Sequence, residues 1–427
     1  MKYALTNITI LNGHADMTPV SGKAVLVDGE KIADIVAADA VPAGYEVVDL
    51  GGRYLLPGLI NLHVHIPSSG KPTKKKLDYE KVAKLLKFGV VRAVVRKMCE
   101  NNARQQLLSG TTTIRAVGGV LDFDTRLRDK INSGKTTGPR ILAANCAVSV
   151  PGGHMTGSVA MPAHSAEEAA QMVRNVAKQK PDLIKLMITG GVLDADVPGE
   201  PGVLKMPPEY VKAAVDAAHE LGFKVAAHVE SNEGMTVALQ NGVDTLEHGG
   251  RPGDEVMQLF RETGAVLVGT LSPAVPFAVM EQAVTGLSDM DLLNGKALFN
   301  YMQACIRECL ANGVTVGLGT DTGCPYITHY DMWRELWYFC RYCGVTPAFA
   351  LHTATEINAQ IAGIADLTGT VDAGKSADFM IVAGDPLEDL TVLRTPTEVV
   401  FRGKLLRAPK PKRFEAVDRE LDKILAL

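Results

Sequence analysis

The 427-residue sequence has no run of about 18 apolar residues, so no stretch is long enough to cross a bilayer as a helix. An excess of charge is lacking too: 44 Lys and Arg against 48 Asp and Glu leave a net charge of −4. So small an imbalance on so long a chain gives no electrostatic reason to expect nucleic acid or an anionic membrane as a partner. Cysteine is sparse, and seven residues at irregular spacing do not resemble a secreted disulfide framework. Cys305 and Cys309 lie one helical turn apart and Cys340 and Cys343 form a lone CxxC; buried free thiols are the expectation, a structural zinc site the alternative. The opening Met1-Lys2-Tyr3-Ala4-Leu5-Thr6-Asn7 has no apolar signal-type core, so a cytoplasmic location is expected. There is no internal repeat and no low-complexity segment. Apolar residues are plentiful at 46%, enough to build a large core.

Within that apolar material, His63-Val64-His65 closes the β-prone run Leu56 to Leu62, which is entered through Pro57-Gly58 and reads as a buried parallel strand. Side chains alternate faces along a strand, so the two histidines point the same way and can share one metal ion. By itself this pair is a weak signal. Its weight comes from the other strand-like runs. Asp182 to Ile188 carries Lys185 in its middle, Phe223 to His228 and Gly242 to His248 each end in histidine, and Val314 to Thr320 leads into Asp321. Amphipathic stretches such as Glu209 to Leu221 separate them. Alternating strands and helices imply an α/β protein with a parallel sheet. Functional groups at the C-terminal ends of successive strands point to a (β/α)8 TIM-type barrel.

The set His63, His65, Lys185, His228, His248 and Asp321 resembles the binuclear metal centre of the amidohydrolase superfamily. Gly138-Pro139-Arg140, Gly152-Gly153-His154, Lys185 to Gly191, Leu246-Glu247-His248-Gly249 and Gly319-Thr320-Asp321 resemble its prolidase-like branch, which includes Xaa-Pro dipeptidase-like enzymes and carboxypeptidases acting on basic C-terminal residues. The resemblance implies two divalent metal ions, with zinc expected. His63, His65 and Asp321 would hold the buried ion, His228 and His248 the exposed one. Lys185, carbamylated by carbon dioxide, would bridge both. It also implies a small-molecule substrate whose amide C–N bond is attacked by a hydroxide shared between the metals, with Asp321 moving the proton and His154 binding the substrate. Relatives are often homo-oligomers, and that is the expectation here.

Burial in an apolar strand lowers a lysine pKa and frees the amine, which suits Lys185 to that chemistry. One position departs from the peptidase pattern. Where relatives commonly carry a tyrosine that binds the substrate's carboxylate, this chain has Glu230, in His228-Val229-Glu230-Ser231. A carboxylate there repels another, so Glu230 is expected either to meet a cationic or amide group or to sit at the start of the helix beginning near Ser231. Tyr326 and His329 are expected in the pocket wall, and Cys324 is expected to line it. A mononuclear deaminase or a cyclic amidohydrolase on the same barrel is the alternative activity. The presence of Lys185, and a glutamate two rather than three residues after His228, count against the deaminase. A scaffold without activity is disfavoured because all six ligand positions are filled.

Residues 1–57 and 369–410 read as short strands and turns. Neither set can bury a core alone, so the two ends are expected to pair into a small β-sandwich beside a barrel of residues 58–368, with 411–427 an amphipathic helix. Lys71 to Lys76 reads as a solvated loop, and Leu271 to Asn294 is long enough for a lid.

Overall fold

A computed structural model describes residues 2–72 and 84–426 of the chain. Lys74 to Lys76, most of the lysine run, lie outside the described residues. Four strands open the fold: β1 (Lys2–Ile10), β2 (Lys23–Asp28), β3 (Lys31–Ala37) and β4 (Glu46–Pro57). Eight buried segments then alternate with helices: β5 (Leu59–Val64), β6 (Thr111–Ala116), β7 (Arg140–Ala143) with its continuation β8 (Ala147–Ser149) and the short β9 (Ala160–Pro162), β10 (Ile184–Met187), β11 (Val225–Val229), β12 (Thr245–His248), β13 (Val266–Gly269) and β14 (Val316–Leu318). The chain finishes with β15 (Phe379–Val382), β16 (Glu398–Phe401) and β17 (Lys404–Arg407).

β5 to β7 and β10 to β14 run parallel and in chain order. The ring closes twice. Asp182 N–H donates to Ala143 O across β7 and β10 at 2.8 Å. Asp321 N–H donates to His63 O at 2.9 Å and His65 N–H to Thr322 O at 2.7 Å, which joins β14 to β5. Gly319 makes that junction possible, since a Cβ there would lie 2.4 Å from His63 Cβ. Nearly every barrel-strand residue is buried, because helices cover the outside and side chains fill the inside. Leu186, Val211, Leu246, Leu267 and Leu318 belong to the one large core between strands and helices.

The two chain ends meet in one continuous seven-stranded sheet of order β17-β16-β15-β4-β1-β2-β3. β4 continues past Leu50 to Pro57, because Tyr54 to Pro57 pair antiparallel with β15. Tyr3, Leu5, Val25, Val27, Phe379 and Val400 give this sheet its own apolar core. Within 369–410, expected to form short strands and turns, Gly369 to Val371 form no strand. The C-terminal helix covers Glu415–Asp422 and ends in a 3-10 turn, Lys423–Ala426. The segment from Leu271 to Asn294 folds as two short helices, Ala274–Val279 and Gln282–Thr285, and the start of the long helix Asp289–Ala311, whose Ser288 cap box is complete. All seven cysteines are free thiols. Among the described residues no helix is long and apolar enough to cross a membrane.

Candidate metal centre

The C-terminal ends of β5, β11, β12 and β14, with Lys185 from within β10, bring the six singled-out side chains together. His63 and His65 both turn toward Asp321: their Nε2 atoms lie 3.4 and 3.1 Å from Asp321 Oδ1. His63, His65 and Asp321 each offer a donor atom within 4.8 Å of the others, and so do His228, Glu230 and His248. The His63 and His248 rings lie 4.6 Å apart, as do those of His228 and His248, so the two groups share one space. Both His248 (φ 73°) and Asp321 (φ 55°) adopt the left-handed region. For non-glycine residues that conformation costs about 1–3 kcal/mol and concentrates at functional sites.

Each imidazole is aimed by a second partner. His63 Nδ1 meets Glu247 Oε2 at 2.7 Å, and Glu247 is paired in turn with Arg115 Nη2 at 2.7 Å. Arg115 Nε donates to Leu62 O at 2.7 Å, so this fully buried pair is braced against β5 itself. His65 Nδ1 and His228 Nε2 face the carbonyls of Gly118 and Gly190 at 2.9 and 3.0 Å. Carbonyls only accept, so those nitrogens carry protons; His228 Nδ1 is left with a free lone pair, while His65 Nε2 faces Asp321 Oδ1. His248 Nδ1 lies 2.7 Å from Thr270 Oγ1. Metal-binding histidines characteristically have their second nitrogen held in this way.

Electrostatics fit the same use. Burial, reinforced by Lys185, lowers the His63 pKa to about 4, and burial first of all holds His228 and His248 well below the usual range. These three imidazoles are therefore neutral, as ligands must be. Burial opposes ionisation of Asp321, but its hydrogen bond with His65 and the nearby histidines outweigh that and keep the carboxyl far below its ordinary value. Lys185 is 1% exposed, and its Nζ has no hydrogen-bond partner. Burial lowers its pKa to about 8. A buried, unpartnered amine among two sets of metal-type donors is costly as it stands. The donor set of imidazoles and carboxylate suits a pair of divalent ions of the zinc kind.

His154 reaches the same space from the loop after β8. Its ring stacks on His228 at 4.1 Å between centroids and 6° between planes, and Nδ1 is bonded to Asp194. Gly191 makes room for it, since a Cβ there would lie 2.8 Å from His154 Cε1. Cys324 also lines the site, its thiol donating to Asp321 Oδ2 at 3.3 Å. Burial and the adjacent Asp321 push that thiol well up, away from the reactive thiolate.

Two expected pocket residues do not join this cluster. Tyr326 donates its hydroxyl to Val284 O at 2.7 Å, tying the loop after β14 to the segment after β13. Both His329 nitrogens are engaged, with Ser68 O at 2.6 Å and Gln106 at 3.3 Å. It borders a cavity of about 420 Å3 with Val94, Met98, Asn102 and Phe414, whose lining includes none of the six metal-type donors. Sequence position placed both side chains after Asp321, but their polar atoms are taken up by Val284, Ser68 and Gln106. Glu247, Arg115 and Asp194 were not singled out for a role. The available signal for the first two was a charged residue inside an otherwise uncharged buried strand.

Comparison with known proteins agrees with this geometry. The family model described as Amidohydrolase family matches residues 54–406, and the NagA composite domain matches residues 2–55. The chain belongs to the amidohydrolase family. Its structural neighbours are prolidase-like: a provisionally assigned prolidase from Bifidobacterium longum is 34% identical with a TM-score of 0.87, covering 99% of each chain. An Xaa-Pro dipeptidase with methionine bound in its active site is 28% identical with a TM-score of 0.82, over 95% of this chain and 100% of that one. Ochratoxinase of Aspergillus niger is 28% identical over 334 residues, 71% of this chain and 67% of its own. The protein is a hydrolytic enzyme.

Proposed function

We propose that this chain is a metal-dependent hydrolase that cleaves the amide C–N bond of a peptide-like or N-acyl amino-acid-like small molecule. The observation that carries the reading is the convergence of two donor groups around the unpartnered Lys185 amine. His63, His65 and Asp321 would hold one divalent ion, His228 and His248 the other. When bound, such a pair supplies a water nucleophile at neutral pH and polarises the scissile carbonyl.

The chain's own groups supply the rest. The free-base form of the Lys185 amine would add to carbon dioxide with loss of a proton, and the resulting carbamate would give the ions an anionic oxygen donor in place of a buried amine. Asp321 accepts a proton as water attacks and passes it to the departing amine, acting as general base and then general acid. His154 Nδ1 is directed at Asp194, and with both ring nitrogens protonated Nε2 would donate to the substrate's carbonyl or carboxylate. Burial first, and then the facing Asp321 and Asp194, push the Glu230 carboxyl well above its ordinary value; the two aspartates make this corner negative, which disfavours a substrate whose free carboxylate would lie there.

A metal titration tests this. After removal of metal with a chelator, hydrolysis of N-acyl amino acids and dipeptides should be lost. It should return to a maximum at two equivalents of zinc per chain with bicarbonate present. Lys185→Ala should abolish it, and added short carboxylic acids should restore part. Full activity without metal, or in Lys185→Ala without added acid, would refute the reading.

A further inference from the structure

We infer that Glu230 is itself a ligand of the metal ion held by His228 and His248. The inference rests on the two-metal reading above and adds a seventh protein ligand to it. His228 and Glu230 are two residues apart at the end of β11, so their side chains project to the same face. Glu230 offers its donor atom within 4.8 Å of those of His228 and His248. Ligands of one zinc ion lie about 2.0–2.2 Å from it, hence up to ~4.2 Å from each other, so a small closure around an ion brings all three into range.

The surroundings of the carboxylate call for a cation. Glu230 Oε2 is buried and has no hydrogen-bond partner, and its residue is only 7% exposed. The charged groups coupled to it are Asp321 and Asp194, both carboxylates. The Cys324 thiol is adjacent but already donates to Asp321. The His154 ring is directed at Asp194. A metal ion beside Oε2 would neutralise this cluster.

Glu230 is also held in place. Its N–H donates to Thr189 Oγ1 at 3.1 Å, and the next residue, Ser231, caps the following helix through Gly234 N–H at 3.1 Å. Gly202 packs so closely that a Cβ there would lie 2.3 Å from the Glu230 backbone. A carboxylate fixed in this way is preorganised as a ligand.

The test is cobalt(II) binding to metal-stripped protein, followed by its visible absorption and by competition with a chelator. Wild type should take up two ions. Glu230→Gln keeps the shape, and the buried Oε2 has no hydrogen bond to lose, so the metal-free variant should melt no lower than wild type. It should bind one of its two ions at least about tenfold more weakly, which is what losing even an outer partner of a ligand costs. Its cobalt spectrum should change, whereas Asp194→Asn should leave the affinity for both ions unchanged. If Glu230→Gln binds both ions as tightly as wild type, with the same spectrum, the inference is wrong, and a raised KM for cationic substrates in that variant would make Glu230 a substrate group. Wild type that binds no cobalt would overturn the two-metal reading as well.

Discussion

His248 and Asp321 hold left-handed backbone angles because their strands end where their side chains must turn into the pocket. Strain of that kind persists only where surrounding bonds over-determine the position. The bonds here include the chain Arg115–Glu247–His63, buried throughout. Burial alone would raise the Glu247 carboxyl, but Arg115 and His63 hold it far below the carboxylate range. Replacing Glu247 with Gln should loosen metal binding at His63 about 10–100-fold, as expected when a ligand's orienting partner is lost. It should also destabilise the fold by up to ~3–5 kcal/mol, because Arg115 is left as a buried charge without its partner. Chelator competition and chemical denaturation would measure the two effects, and an unchanged metal affinity would remove Glu247 from the orienting role. The six ligand candidates were legible in the sequence because each lies in or at the end of a β-like run. Glu247 and Arg115 were not legible as a pair, because 132 residues separate them and only barrel closure brings them together.

At the scale of elements, the start of the segment after β13 is held by Glu335 of the helix Met332–Cys343. Glu335 accepts from the N–H groups of Leu271 and Ser272 at 2.6 and 2.8 Å and from the Ser272 hydroxyl. Burial raises its pKa from 4.5 to about 7 despite those donors. An acid whose folded pKa is raised binds its proton more tightly in the native state. Its stabilisation is therefore fully present below the unfolded pKa of 4.5 and is lost as pH rises through about 7. From this group alone, stability should fall by up to about 3 kcal/mol between pH 4.5 and 7.5. Glu335→Gln should flatten that part of the profile. Denaturation midpoints for both proteins at the two pH values check this, and equal slopes would contradict it. Helix and strand types were legible from periodicity, as in the helix Pro208–Glu220, expected over Glu209 to Leu221. The extent of β4 was not, because its last two residues, Leu56 and Pro57, are paired by β15, more than 300 residues later.

For the molecule as a whole, the terminal sheet and the barrel are joined by a buried ion pair. Arg140 on β7 donates to Asp378 at 2.9 Å, and Asp378 also accepts from the Arg402 N–H at 2.8 Å and from Thr368. This gives a structural role to the Gly138-Pro139-Arg140 motif. Asp378→Ala should destabilise by ~3–5 kcal/mol, since it strands the Arg140 charge in the interior. Thermal melting should show the loss, and a variant as stable as wild type would mean that the sheet docks by apolar contact alone. That both chain ends share one domain was inferred from neither being able to bury a core by itself. The cross-linking pair was hidden because an arginine after Gly-Pro reads equally well as a surface turn.

The central claim, amide-bond hydrolysis at a metal centre with an acidic corner, is tested most directly by a substrate screen on zinc-reconstituted protein with bicarbonate. Each dipeptide or N-acyl amino acid would be paired with its C-terminally amidated twin, and cyclic imides and aminated bases would be included. The account predicts metal-dependent release of the amine from peptide-like or N-acyl substrates, faster for the amidated member of each pair. Turnover confined to the cyclic imides or to the aminated bases would contradict it.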